Sequence, residues 1–196
     1  MTLTELQAAV ILETNRPDLI TRTLQSVQSA TLKAHQSDFY PRDIFETGLN
    51  LNDELYEHDF EVTTFIPRFR AIKYFRHYDN IGSVPGAFFE VISPENVLDS
   101  YNCTRTNVCY LGGAEIHIKS PIKFQYTLFG CYINPDISVG SYDSWIATYH
   151  PFAIIYEAAA MIARSTGNTD KFKSLRDLAV DEYLNLSVNN IQAVGY

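Results

Sequence analysis

The sequence has few cysteines and few basic residues, and each shortage argues against a class of protein. The three cysteines, Cys103, Cys109 and Cys131, fit neither a disulfide framework nor a zinc-binding spacing. We expect them to be thiols in a reducing compartment. The 15 basic and 23 acidic side chains give a net charge of −8. This balance argues against a protein that grips duplex DNA through a basic face.

Long apolar runs and nucleotide-binding motifs are also missing. The longest apolar run, residues 151–163, contains Glu157 and is shorter than the roughly 20 residues that cross a bilayer. No N-terminal stretch resembles a signal peptide. Residues 82–86 contain two glycines but lack the lysine and the strand-to-helix context of a phosphate-binding loop. We therefore expect synthesis in a cytoplasm, no membrane partner and no cofactor.

The titratable residues form no catalytic or metal-binding pattern along the chain. The five histidines are dispersed, without an i, i+4 pair or a cysteine two residues away. Glu115 and His117 would share one face of a strand, where a solvated or interface pair is more common than a catalytic dyad. We predict no catalytic residue, no metal site and no enzyme activity.

Apolar content is high, and its periodicity differs between the middle of the chain and its two ends. At 46% apolar and 13% aromatic residues, 196 residues can bury the core of one domain. Helical periodicity marks both ends, whereas alternation around the Gly112-Gly113 turn predicts a β-hairpin. We therefore predict an α+β single domain, residues 1–196, in which a helical bundle is built from the N- and C-terminal segments, about 1–50 and 141–186. An antiparallel β-rich insertion would occupy about 59–135, and an extended tail 187–196.

Residues 62–78 are ambiguous between helix and strand. Phe69, Ile72, Phe75 and Tyr78 recur every three residues, as in a helix, but the β-branched and aromatic content favours a strand. We predict a strand.

The same segment and the tail supply the candidate partner-binding residues. The basic members are Arg68, Arg70, Lys73 and Arg76, and the tail members are Asn189, Asn190, Ile191 and Tyr196. Cations interleaved with aromatic rings can bind single-stranded nucleic acid. They can also form a polar strand face opposite the acidic residues 53–61, or contact a partner protein. The tail has no charged side chain and could order by packing onto a neighbour.

Glu157 is the one charged residue in the most apolar helical segment. A carboxylate on a buried helix needs a cation or a shift of its pKa. A salt bridge or hydrogen bond to a neighbouring helix or subunit is the more common explanation, and an acid–base role is the alternative. We predict a structural buried charge.

Several ordered motifs resemble the head-to-tail adaptor, or connector, proteins of short-tailed bacteriophages of the podovirus type. They are NRPDL at 15–19, ATLKAH at 30–35, DFYPRD at 38–43, IPRFR at 66–70 and HPFA at 150–153. The resemblance runs from about residue 15 to residue 186. It implies a structural virion protein that forms a twelve-fold homo-oligomeric ring in the virion neck, between the portal protein and the tail nozzle protein. Such a ring extends the channel for genomic DNA during ejection, without sequence-specific binding. No catalytic motif comes with the resemblance.

Two other functions remain open from the sequence. The chain could be a tail nozzle or tail-completion component. It could also be a host-surface binding module whose aromatic β region recognises a ligand through tyrosine and phenylalanine anchors.

Overall fold

The computed structural model describes residues 1–50, 57–78, 86, 88–98, 103–120 and 126–194. Within it the chain divides into two compact units. The first consists of residues 1–43 and 134–196, and the second of residues 44–133. Each unit has its own cluster of buried apolar side chains.

The first unit is helical. Its helices are α1 (Leu3–Thr14), α2 (Ile20–Gln36), α4 (Trp145–Tyr149), α5 (Pro151–Ser165) and α6 (Thr169–Val194). Helix α3 (Val62–Phe65) belongs to the second unit. Short 3-10 turns at Pro17–Leu19 and Pro41–Asp43 flank α2.

Helix α5 is the centre of the first unit, in contact with α1, α2, α4 and α6. Small side chains make this possible, since Ala158, Ala159 and Ala160 are all buried and let neighbouring helices approach closely. Pro151 occupies the first turn, where its missing N–H removes no helical hydrogen bond. Gly167 adopts φ of 75° just after the helix. The chain therefore reverses there into α6.

The second unit is built on a seven-stranded sheet. Its strands are β1 (Ile44–Asn50), β2 (Glu57–Glu61), β3 (Phe69–Tyr78), β4 (Phe88–Val91), β5 (Val108–Gly112), β6 (Glu115–Lys119) and β7 (Tyr126–Ile133). The order is β1-β7-β3-β4-β5-β6-β2. Strand β2 is at one edge, yet the ring of Phe60 lies 6.2 Å from Phe75 on β3 and 6.4 Å from Phe129 on β7. The sheet is therefore curled around a shared aromatic core.

The fold-class prediction is wrong. We expected an α+β helical bundle from the terminal segments with an antiparallel β insertion. The residues that the structure describes instead form six α-helices and a mixed, curled sheet of seven strands. The sheet is mixed because β4 and β5 pair in parallel, with Glu90 opposite Val108. Alternation along a strand shows which side chains share a face but not the direction of the neighbouring strand.

The structure also bears on three local expectations, for the tail, for residues 44–50 and for residues 62–78. The tail from residue 187 is not extended, because α6 continues to Val194, with Leu186 buried in the last described turns. Residues 44–50, placed in the helical part, form β1. In the ambiguous stretch 62–78, the strand prediction is confirmed for Phe69–Tyr78, after the single turn of α3. Across the residues described here, no helix is long and apolar enough to cross a membrane.

Candidate functional site

Glu157 joins three helices of the first unit. Its side chain on α5 is 5% exposed, whereas those of its two cationic partners are 43% exposed for Lys33 and 37% for Arg176. Lys33 Nζ on α2 donates to Glu157 Oε1 at 2.5 Å, and Arg176 Nη1 on α6 donates to Oε2. Each carboxylate oxygen therefore has its own cation. The arrangement fixes α2 and α6 against α5 and leaves no oxygen of Glu157 without a donor.

Tyr183 lies close to this ion pair. Burial and the negative charge of Glu157 raise the pKa of its hydroxyl. The phenol is therefore neutral throughout the physiological pH range and adds no second negative charge beside Glu157.

A second buried polar cluster has the order of groups found in acyl-transfer triads. Asp43 Oδ1 lies 2.8 Å from His35 Nδ1, and His35 Nε2 lies 2.9 Å from Ser144 Oγ. Trp145 Nε1 donates to the same Asp43 oxygen at 2.7 Å. All three triad-like residues are buried, with exposed fractions of 2% for His35, 4% for Asp43 and 7% for Ser144. The cluster links the end of α2 to the start of α4.

The position of Ser144 favours a capping role over nucleophilic attack. Its hydroxyl oxygen accepts a hydrogen bond from the backbone N–H of Ala147 at 3.2 Å, as an N-cap residue does. A nucleophile needs a lone pair that faces an incoming substrate. Here the oxygen faces the first turn of α4 and is closed off from solvent. The cluster can therefore orient and cap a helix, and its geometry does not present a reacting group.

We predict that Ser144→Ala lowers the free energy of unfolding by about 1–2 kcal/mol, because it removes a helix cap and leaves His35 Nε2 without its serine partner. Chemical denaturation followed by circular dichroism would measure the loss. Ser165→Ala is the matched control. Ser165 is exposed and its hydroxyl donates to the carbonyl of Ile162, so its removal should change stability by less than about 0.5 kcal/mol.

The same variant tests for hidden hydrolase chemistry. A fluorophosphonate probe, which labels activated serines, should not label the wild-type chain at residue 144. Labelling that disappears in both Ser144→Ala and His35→Ala would contradict the capping interpretation and make the cluster a catalytic site.

An apolar row follows the outer side of α6. Val180, Leu184 and Val188 recur every four residues and are 40%, 60% and 51% exposed. Beside the row lies a groove of about 400 Å³ between α2 and α6. It is lined by Lys33, Gln36, Ser37, Arg176, Val180, Tyr183, Leu184 and Ser187. We call Val180, Leu184 and Val188 the α6 row.

The predicted tail residues lie at the end of this helix. Asn189 is exposed, and Asn190 Nδ2 donates to Asp38 Oδ2 at 3.0 Å. Both asparagines line a smaller cavity of about 180 Å³, where the guanidinium of Arg42 lies 4.7 Å from the ring centre of Tyr149. Ile191 is in α6, but its side chain is outside the described part of the chain, as is the whole of Tyr196.

The four predicted basic residues are spread along β3 and the turn before it. Arg68 is exposed in that turn, and Arg70 is half-buried in the strand. Lys73 Nζ lies 5.6 Å from the ring centre of Tyr132. Arg76 Nε donates to the carbonyl of Gly86 at 2.9 Å.

The structure does not place the described acidic residues of the stretch 53–61 on a strand next to these cations. Strand β3 pairs with β4 and β7, whereas residues 57–61 form β2 and pair with β6. Residues 53–56 lie outside the described residues. The described acidic residues are therefore on a strand that is not paired with β3.

His117 contacts neighbouring side chains, and two of the three cysteines are buried. His117 Nδ1 contacts Asp59 Oδ1 at 2.5 Å, and its ring stacks on Tyr110 at 4.8 Å. Burial raises the pKa of the Cys109 thiol to about 12 and that of Cys131 to about 11, whereas Cys103 is exposed. In the ranges that the structure covers, no group of three His, Cys, Asp or Glu side chains is placed to hold a metal ion.

Sequence reasoning missed the His35 cluster and the α6 row for different reasons. The cluster joins residues 8 and 109 positions apart, and no periodicity signals such a contact. The α6 row was visible as a four-residue repeat, but the buried stripe on the same helix concealed it. No protein-family model matches this chain, and no curated protein is similar to it.

Proposed function

We propose that this chain is a structural virion protein, the head-to-tail adaptor of a short-tailed bacteriophage. About twelve copies would form a ring in the virion neck between the portal protein and the tail nozzle protein. The ring would extend the DNA channel. The five motifs from residue 15 to residue 153 support this proposal by their resemblance to such adaptors.

The single observation that carries the proposal is the uncovered α6 row. Helices of globular proteins usually turn such apolar repeats toward a core. Here Leu184 is 60% exposed in the isolated chain, between Val180 and Val188. Contiguous exposed apolar surface marks sites of protein association. A ring subunit needs such a surface, because each copy contacts its neighbour through one patch on each side.

Charge supports a passive role toward DNA. A net charge of −8 gives duplex DNA little to hold, since tight binding requires many lysine or arginine contacts that release counterions. Genomic DNA can slide through such a channel instead of binding to its wall. The adaptor would act by assembly alone, without catalysis. It would be made in the host cytoplasm and end in the virion.

The decisive experiment is assembly with the portal protein encoded in the same genome, measured by native mass spectrometry and negative-stain microscopy. The wild-type chain should add a ring of copies to the portal. Leu184→Asp should weaken this assembly at least about tenfold, because a charge in the middle of a desolvated interface is costly. The side chain is exposed, so we expect the variant to remain folded.

Leu12→Asp is the matched control for that experiment. Leu12 is 81% exposed and lies on α1, outside the α6 row. The control should assemble like the wild-type chain. The proposal would be overturned if the wild-type chain did not assemble on the portal protein. Equal assembly of Leu184→Asp and the wild-type chain would show that the α6 row is not part of the assembly interface.

A further inference from the structure

The outer face of the curled sheet carries a set of aromatic rings that the proposed function does not use. Phe75 and Phe129 point into the core and are fully buried. Because side chains alternate along a strand, Tyr74 and Arg76 on β3 and Gly130 on β7 lie on the opposite, outer face. The pairing of Tyr74 with Gly130 places these two residues side by side.

Two glycines allow tyrosine rings to lie along this face. A methyl group at Gly130 would lie 2.5 Å from the ring of Tyr74, so the ring occupies the space above that glycine. The Tyr74 hydroxyl continues to β1, where it donates to Glu46. Since β7 lies between β3 and β1, the side chain of Tyr74 crosses the sheet surface. Gly48 and Tyr126 repeat the arrangement, because a side chain at Gly48 would collide with the Tyr126 ring.

Further rings and one guanidinium extend the same surface. Phe88 on β4 is 56% exposed and makes an edge contact with Tyr74, at 5.7 Å between ring centres. The guanidinium of Arg76 lies 4.6 Å from the centre of the Phe88 ring. Tyr78 and Tyr126 make a second edge contact at 5.7 Å. We call Tyr74, Tyr78, Phe88 and Tyr126, with Glu46 and Arg76, the aromatic face.

We propose that the aromatic face binds a neutral oligosaccharide, which is an activity beyond the proposed adaptor role. Sugar rings present C–H faces that can pack on aromatic rings, and the partly open barrel of the OB-fold is one curled sheet with a face that binds oligosaccharides. Their hydroxyl groups both donate and accept hydrogen bonds. The Glu46 carboxylate and the Arg76 guanidinium supply the complementary groups at the edges of the rings.

This face carries charges of both signs, which suits a neutral sugar better than the continuous row of phosphates in single-stranded nucleic acid. A nucleic acid needs cations that follow its phosphates as well as rings for its bases. Arg76 Nε donates to the carbonyl of Gly86 and its guanidinium lies over Phe88. A second cation on this face, Lys73, lies over Tyr132, which alternates along β7 onto the same side as Gly130. Glu46 beside Tyr74 and Glu90 on β4 would repel phosphate groups, and Arg105 is paired with Glu90 at 2.5 Å. A neutral ligand meets no such repulsion.

The Tyr74 hydroxyl is suited to remain a hydrogen-bond donor on this face. Burial and its hydrogen bond to Glu46 raise the pKa of Tyr74 to about 12. The phenol therefore keeps its proton near neutral pH, and its bond to Glu46 holds the ring in place for a ligand.

The test is a glycan array that contains neutral and acidic bacterial and plant oligosaccharides, followed by calorimetric titration of the best binder. The wild-type chain should bind a neutral member. Phe88→Ala and Tyr74→Ala should each weaken binding by roughly tenfold or more, since single aromatic anchors dominate such contacts. Tyr74→Phe keeps the ring and should retain most of the affinity, which separates the contribution of the ring from that of the hydroxyl. Circular dichroism of Tyr74→Ala should match that of the wild-type chain.

Phe39→Ala is the matched control, because Phe39 is 51% exposed but belongs to the first unit. It should bind like the wild-type chain. Failure of every neutral oligosaccharide to bind would overturn the inference, as would an equal loss in Phe39→Ala. If the chain instead binds a dT20 oligonucleotide and Phe88→Ala loses that binding, the ligand of the aromatic face is a single-stranded nucleic acid and not a sugar. Portal assembly of Phe88→Ala should be normal, so this inference and the adaptor proposal can fail separately.

Discussion

Replacing both Lys33 and Arg176 with alanine should lower the free energy of unfolding by about 3–5 kcal/mol, because it leaves the buried carboxylate of Glu157 without a cation. The side chain of Glu157 is only 5% exposed, so water cannot replace the lost partners without a structural change. The two cations lie on α2 and α6, and their loss also removes the ion pairs that join both helices to α5. Urea denaturation followed by circular dichroism would measure the loss.

A sharper test compares the stability losses of the single, double and triple variants of Lys33, Arg176 and Glu157. Each single variant, Lys33→Ala or Arg176→Ala, leaves one cation on the carboxylate and should cost less than half of the double variant, because the two partners act on one group. Adding Glu157→Gln to the double variant should recover part of the loss, since a neutral amide is less costly to bury than an unpaired charge. A double variant within about 1 kcal/mol of the wild-type chain would show that Glu157 is solvated after all.

The exposed pair of Arg16 and Asp18 provides the matched control. Its two side chains are 40% and 58% exposed and are joined at 2.8 Å, a length typical of a good ion pair. Arg16→Ala should nevertheless cost less than about 1 kcal/mol, because exposed pairs are screened by water. The comparison isolates burial of the carboxylate as the cause of the larger effect.

The sequence predicted that Glu157 would be buried and paired but not which residues would pair with it. A charge within an apolar helical run is visible in the sequence, because the hydrophobic pattern surrounds it. Lys33 and Arg176 lie 124 and 19 residues away. Their approach depends on how α2 and α6 pack on α5, which helical periodicity does not determine. The same limit concealed the His35 cluster, whose members lie on either side of the sheet unit in the sequence.

In the second unit the local hairpin was predictable and the sheet was not. Strands β5 and β6 are antiparallel neighbours, as the alternation around Gly112-Gly113 predicted. The turn is one residue later than expected, since Gly112 still pairs with Glu115 and Gly113 takes the positive φ. The parallel pairing of β4 with β5 and the curl that brings β2 toward β7 depend on contacts distant in the sequence.

The candidate interface residues show a related limit. Uncharged composition suggested an extended tail, but α6 continues to Val194. The basic residues of β3 were identified as a group by spacing alone. Their surroundings differ, since Arg76 lies over Phe88 whereas Lys73 lies over Tyr132. The rings of the aromatic face depend on two glycines in other strands, which sequence spacing does not place beneath them.

Replacing Phe129 with alanine should lower the free energy of unfolding of the sheet unit by about 3–5 kcal/mol, the range for large aromatic residues removed from a core. Phe129 is fully buried on β7, and its ring stacks on Phe75 with 4.2 Å between centres. It also contacts Phe60 on the edge strand β2. The substitution therefore removes one of the two core rings that contact Phe60 on the edge strand, in addition to leaving a cavity.

Two controls separate the cavity from the loss of curl. Phe129→Leu keeps most of the apolar volume and should cost roughly 1–2 kcal/mol. Phe45→Ala, on the paired strand β1, removes a ring that is 42% exposed and should cost less than about 1 kcal/mol. Hydrogen exchange should show faster opening of β2 amides in Phe129→Ala than in Phe129→Leu, because only leucine keeps a large apolar side chain against Phe60, whose other core contact is Phe75. Equal exchange of β2 in both variants would mean that its pairing with β6 and the contact of Phe60 with Phe75 hold the edge strand, and that Phe129 fills the core without controlling the curl.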